Sequence, residues 1–385
     1  MKRVFSFTGA RKIVFGSGSF NELADHIREI GGTKPFIVLD RNLAGGGLRE
    51  KVAELFDRAK MKYTLYDRVD AEPALQLADE GAGMARKEKN DIVVGIGGGS
   101  AMDTAKAVAV VAANKGKAKD YLGLNKIAAP GLPKIMVPTT AGTGSEVTFT
   151  AVFIRKDLGK KEGMNSPFLY PELALCDPLL TLSVPPSVTA TTGIDAFCHA
   201  FESYTSLIAS PMSELFSLEA MGLIAAHLRA CVHNGSDVSA RENMLLGSLY
   251  AGLGLANAGV TAVHSLSYPL GGKYGVPHGL ANTVLLPAVM RFNLPAAIEK
   301  LAVVAEVMGE QVDDFSERDA AQIAVSAVED MIDDCGILDT LETLGVAKVD
   351  FPELAESAMV VARPLANNPR NVSVEDAMEI YEDAY

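Results

Sequence analysis

The chain predicts a two-part protein, an α/β domain with a mostly parallel, Rossmann-like sheet over residues 1–183 and an all-helical domain over residues 184–385. Three observations carry this. Short apolar runs alternate with helix-period stretches through the first half. Strand signals nearly vanish after Pro185-Pro186. Asp195 and three of the chain's six histidines, His199, His264 and His278, stand among glycines and small residues in the stretch Asp195–His278. At 385 residues the chain also exceeds one ordinary hydrophobic core, so two domains are expected.

Taken in order, residues 3–15 hold two short apolar runs around Thr8-Gly9-Ala10 and read as a β-hairpin. Gly16-Ser17-Gly18-Ser19 opens a helix at about Phe20–Ile30. Strands are expected at Lys34–Asp40, Lys62–Tyr66, Asp91–Ile96, Lys134–Pro138 and Leu173–Cys176. Helices are expected at 48–60, Leu75–Glu88 and Ala101–Ala113. This alternation implies a parallel sheet covered on both faces.

Gly97-Gly98-Gly99-Ser100 sits between a buried strand and a helix. Glycines admit a diphosphate to the backbone, and the helix start offers free N–H groups to it. A tight βα connection alone would also use such a turn. The candidate acid, Asp40, precedes these glycines, whereas in the usual fingerprint an acid follows them by about 20 residues. The layout is nucleotide-binding in kind without the standard Rossmann order. Pro138 through Glu146 adds Thr139, Thr140 and Thr143 directly after a strand. Their hydroxyls suit a ribose, a pyrophosphate or a nicotinamide amide, although threonines also cap helices.

After Pro185-Pro186, helices are expected at roughly 186–206, 211–232, 239–257, 279–292, 295–308, 316–335 and 351–361, and Ser373-Val374-Glu375-Asp376 caps a last one. Asp195 and His199 stand four residues apart, on one face of a helix. His264 and His278 follow from a Gly-rich segment. One carboxylate and three imidazoles make a first shell for Fe²⁺ or Zn²⁺. A single histidine on an apolar helix is more often a satisfied core residue; the set of four favours the metal.

The net charge of −13 argues against nucleic acid and anionic membranes. The four cysteines show no CxxC spacing and read as reduced thiols. The N-terminus lacks a sustained apolar h-region, and no uninterrupted run of about 20 apolar residues is present. A cytoplasmic protein forming a homodimer or higher homo-oligomer is expected.

Gly97 through Ser100 with Asp103 and Lys106, Pro138 through Glu146, Asp195 through Glu202, and His264 through Asn282 together resemble the iron-containing (group III) alcohol dehydrogenase family. That family includes lactaldehyde reductase and propanediol dehydrogenase, and its architecture is shared with dehydroquinate synthase. The resemblance covers almost the whole chain, and Tyr268 through Asn282 is its most specific part. It implies Asp195, His199, His264 and His278 as metal ligands. It implies Asp40, Gly98, Gly99, Ser100, Asp103, Thr139, Thr140, Thr143 and Lys161 as positions binding NAD, with NADP less favoured because Asp40 would repel a 2′-phosphate. Lys160 adjoins Lys161, so the register there is soft. Many relatives carry a further histidine where this chain has Tyr268, whose phenol, with an ordinary pKa near ~10, suits substrate positioning better than proton relay.

The activity so implied is reversible hydride transfer between a small alcohol or aldehyde and nicotinamide C4, with the metal, iron or alternatively zinc, polarising the oxygen. Two other readings use the same scaffold. Dehydroquinate synthase-like chemistry needs a basic phosphate pocket, and no dense Lys/Arg cluster adjoins the metal stretch; glycerol-type dehydrogenases also share the architecture. A non-catalytic NAD- and metal-binding protein would show no turnover with any small alcohol. Hydride transfer requires reacting atoms within ~3–3.5 Å, so the active site is expected between the two domains, with Leu255 and Val260 as candidate lining.

Overall fold

The computed structural model describes residues 4–41, 47–155 and 160–385. Arg3, where the expected hairpin begins, and the first residues of the N-terminal segment lie outside these. The described chain forms two compact units. One is Gly9–Val184; the other is Pro185–Tyr385 together with the described residues before Gly9.

The first unit is built on a six-stranded, wholly parallel sheet. Its strands are β1 (Ile13–Phe15), β2 (Pro35–Asp40), β3 (Thr64–Val69), β4 (Ile92–Gly97), β6 (Lys134–Pro138) and β9 (Leu173–Cys176), in the spatial order β1-β9-β6-β4-β2-β3. The helices are α1 (Leu23–Glu29), α2 (Leu48–Arg58), α3 (Gln76–Glu88) and α4 (Gly99–Ala113). Strand alternation sorts the core. Ile37 and Leu39 of β2 pack with Leu23, Ile27, Val52 and Phe56 on one face. Phe36 and Val38 pack with Met102, Ala105 and Val108 on the other. Both faces are therefore buried, which is why these strands read as continuous apolar runs.

A second, three-stranded sheet was not legible in the sequence. It joins β5 (Gly123–Leu124), β8 (Lys160–Asn165) and β7 (Thr150–Arg155), with β7 and β8 antiparallel. Lys160-Lys161-Glu162-Gly163 has little strand propensity. The pairing comes instead from Ala151, Phe153 and Met164, which bury against Leu75, Ala78 and Val110.

The expected N-terminal hairpin is corrected. Residues 4–10 form no strand, and β1 pairs in parallel with β9, Val14 opposite Leu175. Phe7 stacks on Phe216 at 5.3 Å, and Thr8 exchanges two hydrogen bonds with the Asn257 side chain. A short apolar run finds its partner by burial, and the partner here is some 160 residues away in the chain.

The second unit is helical: α5 (Pro186–Thr205), α6 (Pro211–His233), α7 (Val238–Ala258), α8 (Ala262–Tyr274), α9 (His278–Asn293), α10 (Ile298–Met308), α11 (Glu317–Asp334), α12 (Phe351–Met359), α13 (Ala362–Asn367) and α14 (Val374–Asp383). Pro186 and Pro211 occupy first-turn positions, and Ser210, Asp237, Ser316 and Ser373 cap helices through their side chains. The Gly-rich segment around His264, absent from the helices expected above, forms α8. It carries Pro269 internally and Gly271-Gly272 near its end, residues that ordinarily argue against a helix. By length and composition α6 could cross a membrane, but 44% of that stretch is buried in the unit, where α6 packs on α5 and α7.

Candidate functional site

In the α/β unit, the candidate nucleotide-binding residues meet at the carboxyl ends of adjacent strands. The chain runs from β2 outward to β3, then returns to the other side of β2 for β4, so the order reverses between β2 and β4. Open α/β sheets bind ligands in the crevice at such a reversal. Asp40 ends β2 and Gly97 ends β4 beside it. Gly97 has φ +150°, and a Cβ there would meet Ala101 Cβ at 2.7 Å and Asp40 Cβ at 3.0 Å. Gly99 is the first residue of α4, and a Cβ there would meet Thr143 Cγ2 at 2.8 Å. The glycines thus let the acid, the helix start and the threonine loop approach one another. Thr139 donates its backbone N–H to Gly97 O at 3.0 Å. Its buried hydroxyl has no hydrogen-bond partner among the described residues. A buried orphan oxygen beside the β4 glycines fits a polar ligand.

Other sequence-selected residues are engaged within the unit. Ser100 Oγ accepts from Glu72 N–H at 3.1 Å, and Lys161 pairs with Glu72 at 2.6 Å. Asp103 accepts from Ser145 Oγ at 2.6 Å and from Val152 N–H at 2.8 Å. Lys106, fully buried, donates to Ser145, Thr148 and the Thr150 carbonyl, 3.6 Å from Asp103. Burial pushes the Asp103 carboxyl up and the Lys106 ammonium down. These two side chains hold the 139–148 loop against β7. Glu146 in that loop is buried with one carboxylate oxygen unpartnered among the described residues, and burial pushes its carboxyl up to about 7.

In the helical unit, three helices each present a pair of polar residues at i,i+4. These are Asp195 and His199 on α5, His264 and Tyr268 on α8, and His278 and Asn282 on α9. One ligand atom from each of Asp195, His199, His264 and His278 lies within 4.8 Å of the others. The first three residues are buried, and the His278 side chain is 31% exposed, which gives the cluster one accessible side. His199 Nε2 and His264 Nε2 face each other at 3.1 Å. Asn282 Nδ2 donates to Asp195 Oδ1 at 2.7 Å and lies 3.2 Å from His264 Nε2 and 3.3 Å from His278 Nε2. Burial alone would raise the Asp195 carboxyl, but the three imidazoles and the Asn282 amide hold it below the usual range. An anionic oxygen and three imidazole nitrogens fit Fe²⁺ or Zn²⁺. Asn282 Oδ1, buried there without a partner among the described residues, fits a polar occupant as well.

The packing of α9 on α5 sets this geometry. A Cβ at Gly279 would sit 2.8 Å from the Thr191 carbonyl oxygen, so only glycine lets the two backbones approach this closely. Tyr268 stacks on His278, ring centroids 5.9 Å apart, and meets His264 edge-on at 6.3 Å. Burial, and then the Glu202 and Asp195 charges, push its phenol up.

Two residues that end stretches of the resemblance were given no site role by the sequence reading. Glu202 is fully buried and hydrogen-bonded to His264 Nδ1. Asn282 stands beside three of the four clustered side chains. Each had a signal: Glu202 follows Asp195 and His199 at i+7 and i+3 on one apolar helix, and Asn282 follows His278 at i+4. Cys198, set off that face by spacing, is buried against the Asn282 carbonyl.

Residues 10–178 match the iron-containing alcohol dehydrogenase family, and residues 189–385 match the C-terminal part of the same family. The chain is 38% identical to the long-chain-alcohol dehydrogenase 1 of Geobacillus thermodenitrificans, over 96% of this chain and 94% of that one. Among solved structures, a 1,3-propanediol oxidoreductase superposes with a TM-score of 0.96 at 36% identity over the whole of both chains. The sulfoacetaldehyde reductase of Bifidobacterium kashiwanohense, solved in complex with NAD⁺, superposes with a TM-score of 0.90 at 30% identity over 99% of each.

Proposed function

The chain belongs to the iron-containing alcohol dehydrogenase family, and from that premise we propose that it interconverts a small alcohol and its aldehyde or ketone with NAD as the hydride partner. The observation that carries the metal part is the gathering of Asp195, His199, His264 and His278 within 4.8 Å. These four would hold a divalent iron or zinc ion. When bound, the two groups supply Lewis acidity at the alcohol oxygen and a hydride acceptor at nicotinamide C4.

The chain's own residues do the rest. Asp40, at the end of β2, accepts the hydroxyls of the adenosine ribose and repels a 2′-phosphate, which favours NAD over NADP. Gly98, Gly99 and the first amides of α4 receive the pyrophosphate. The hydroxyls of Thr139, Thr140 and Thr143 orient the nucleotide. Asp103, through Ser145 and the β7 backbone, keeps that threonine loop in place, and Lys161 holds Glu72, whose amide is bonded to Ser100. His278, on the accessible side of its cluster, faces the side from which substrate arrives. Tyr268, stacked on His278, offers its hydroxyl as a hydrogen bond to substrate; its raised pKa keeps it protonated at neutral pH. The relatives named for a long-chain alcohol, 1,3-propanediol and sulfoacetaldehyde support a substrate among aliphatic alcohols and aldehydes without selecting one. A cytoplasmic homodimer or larger homo-oligomer completes the reading.

The test is a panel of aliphatic alcohols and aldehydes with iron- or zinc-loaded protein and NAD(H). Turnover is expected, and His264→Ala should lose metal stoichiometry and turnover together. Full metal content with full activity in that variant would refute the ligand assignment.

A further inference from the structure

We propose that Glu202 is a positioning residue that fixes the tautomer of His264, so that Nε2 presents a lone pair, rather than a proton, to the metal. The inference rests on the metal reading above. It concerns a residue outside the four candidate ligands.

The geometry leaves Glu202 little freedom. It is fully buried on α5, one turn beyond His199. Oε1 accepts from Thr261 N–H at 2.9 Å, from Thr261 Oγ1 at 2.9 Å and from His264 N–H at 3.4 Å. Oε2 faces His264 Nδ1. A carboxylate only accepts hydrogen bonds, so Nδ1 must carry the proton. The opposite edge of the ring suits the same tautomer. Asn282 Nδ2 is placed as a donor because it lies 2.7 Å from Asp195 Oδ1; turning the amide over would set two acceptor oxygens against each other. Its second N–H lies between His264 Nε2 at 3.2 Å and His278 Nε2 at 3.3 Å, and a bare Nε2 on His264 can accept it. Glu202 therefore imposes the Nδ1–H tautomer, and Asn282 suits it. Histidines that ligate metals through one nitrogen commonly donate the other N–H to a carboxylate, which orients the ring and raises its basicity.

The isosteric change Glu202→Gln separates this role from packing. Glutamine keeps the shape and an oxygen for the Thr261 N–H. Its amide nitrogen then confronts His264 Nδ1 and forces the proton onto Nε2, toward the metal site. Rotating the amide to relieve this sets its NH₂ against the Thr261 N–H instead. The ligating tautomer then requires the rotated amide, and the clash of its NH₂ with the Thr261 N–H opposes metal binding.

The experiment is chelator competition with Zn²⁺ on the full chain, native and Glu202→Gln, alongside a thermal melt of each without zinc. Zinc affinity should fall about 10–100-fold in the variant, while Glu202→Asp, which retains the carboxylate, recovers part of it. A folded Glu202→Gln chain that binds zinc as tightly as the native overturns this inference alone. A native chain that takes up no zinc overturns the metal reading and this inference together. Should the glutamine variant not fold, ¹⁵N-histidine NMR of the zinc-loaded native chain decides: a protonated Nδ1 on His264 supports the inference and a bare Nδ1 overturns it.

Discussion

Replacing Gly279 with alanine perturbs the cluster without touching a candidate ligand. The new Cβ would lie 2.8 Å from the Thr191 carbonyl oxygen, where ordinary contact begins at 3.4 Å. The obstacle is backbone of α5, which cannot swing aside as a side-chain tip would, so α9 must retreat by about 0.6 Å, the shortfall between those distances. Metal–ligand distances hold to about 0.2 Å. The retreat is therefore several times what a fixed ligand set absorbs, and it carries His278 and Asn282 away from Asp195, His199 and His264. Overpacking of this kind costs about 1–3 kcal/mol, and alanine's better helix propensity offsets at most about 1 kcal/mol of it. The expected result is a modest fall in Tm with a disproportionate loss of zinc affinity, about tenfold or more, as for changes in the residues that support a ligand. Chelator competition reports the affinity, and calorimetry with and without zinc reports stability. Native zinc affinity in Gly279→Ala would refute the argument that this close approach sets the ligand geometry.

Three further outcomes are expected. Asp40→Ser should raise kcat/KM with NADPH relative to NADH, since it removes the charge that repels a 2′-phosphate; an unchanged coenzyme ratio would count against that role. Tyr268→Phe keeps the ring stacked on His278 and should retain most of kcat with a raised KM, whereas a collapse of kcat would restore proton relay to this position. Glu146 has its carboxyl raised by burial from 4.5 to about 7, so between those values the folded chain holds a proton that the unfolded chain has released. That contribution to stability is present at low pH and is lost as pH rises through the window. Denaturant unfolding of Glu146→Gln should therefore show a flatter pH dependence than the native chain between about pH 5 and 7, and identical slopes would refute the assignment.

The sequence by itself determined the elements whose signal is local and periodic. The buried strands of the large sheet read as apolar runs because both faces are covered, and the Gly97–Ser100 turn was visible as a break between strand and helix. Asp195 and His199 announced a shared helix face by their spacing. The capping signals at Ser373 and the prolines of α5 likewise needed no tertiary partner.

Tertiary structure decided whatever depends on a partner remote in the chain. The apolar residues before Phe15 looked like half of a hairpin, yet β1 pairs with β9 and Phe7 packs on Phe216. Helix α8 forms despite Pro269 and two glycines because packing against α9 and α12 outweighs poor propensity. The β7–β8 pair exists because Phe153 and Met164 bury on the α/β core. The close approach of α9 to α5 follows from Gly279 lying against Thr191, a contact that no spacing along the chain expresses. For the same reason Glu202 stayed hidden. A carboxylate on an apolar helix is a cost until its acceptors are filled, and only the folded arrangement brings Thr261 and His264 to fill them.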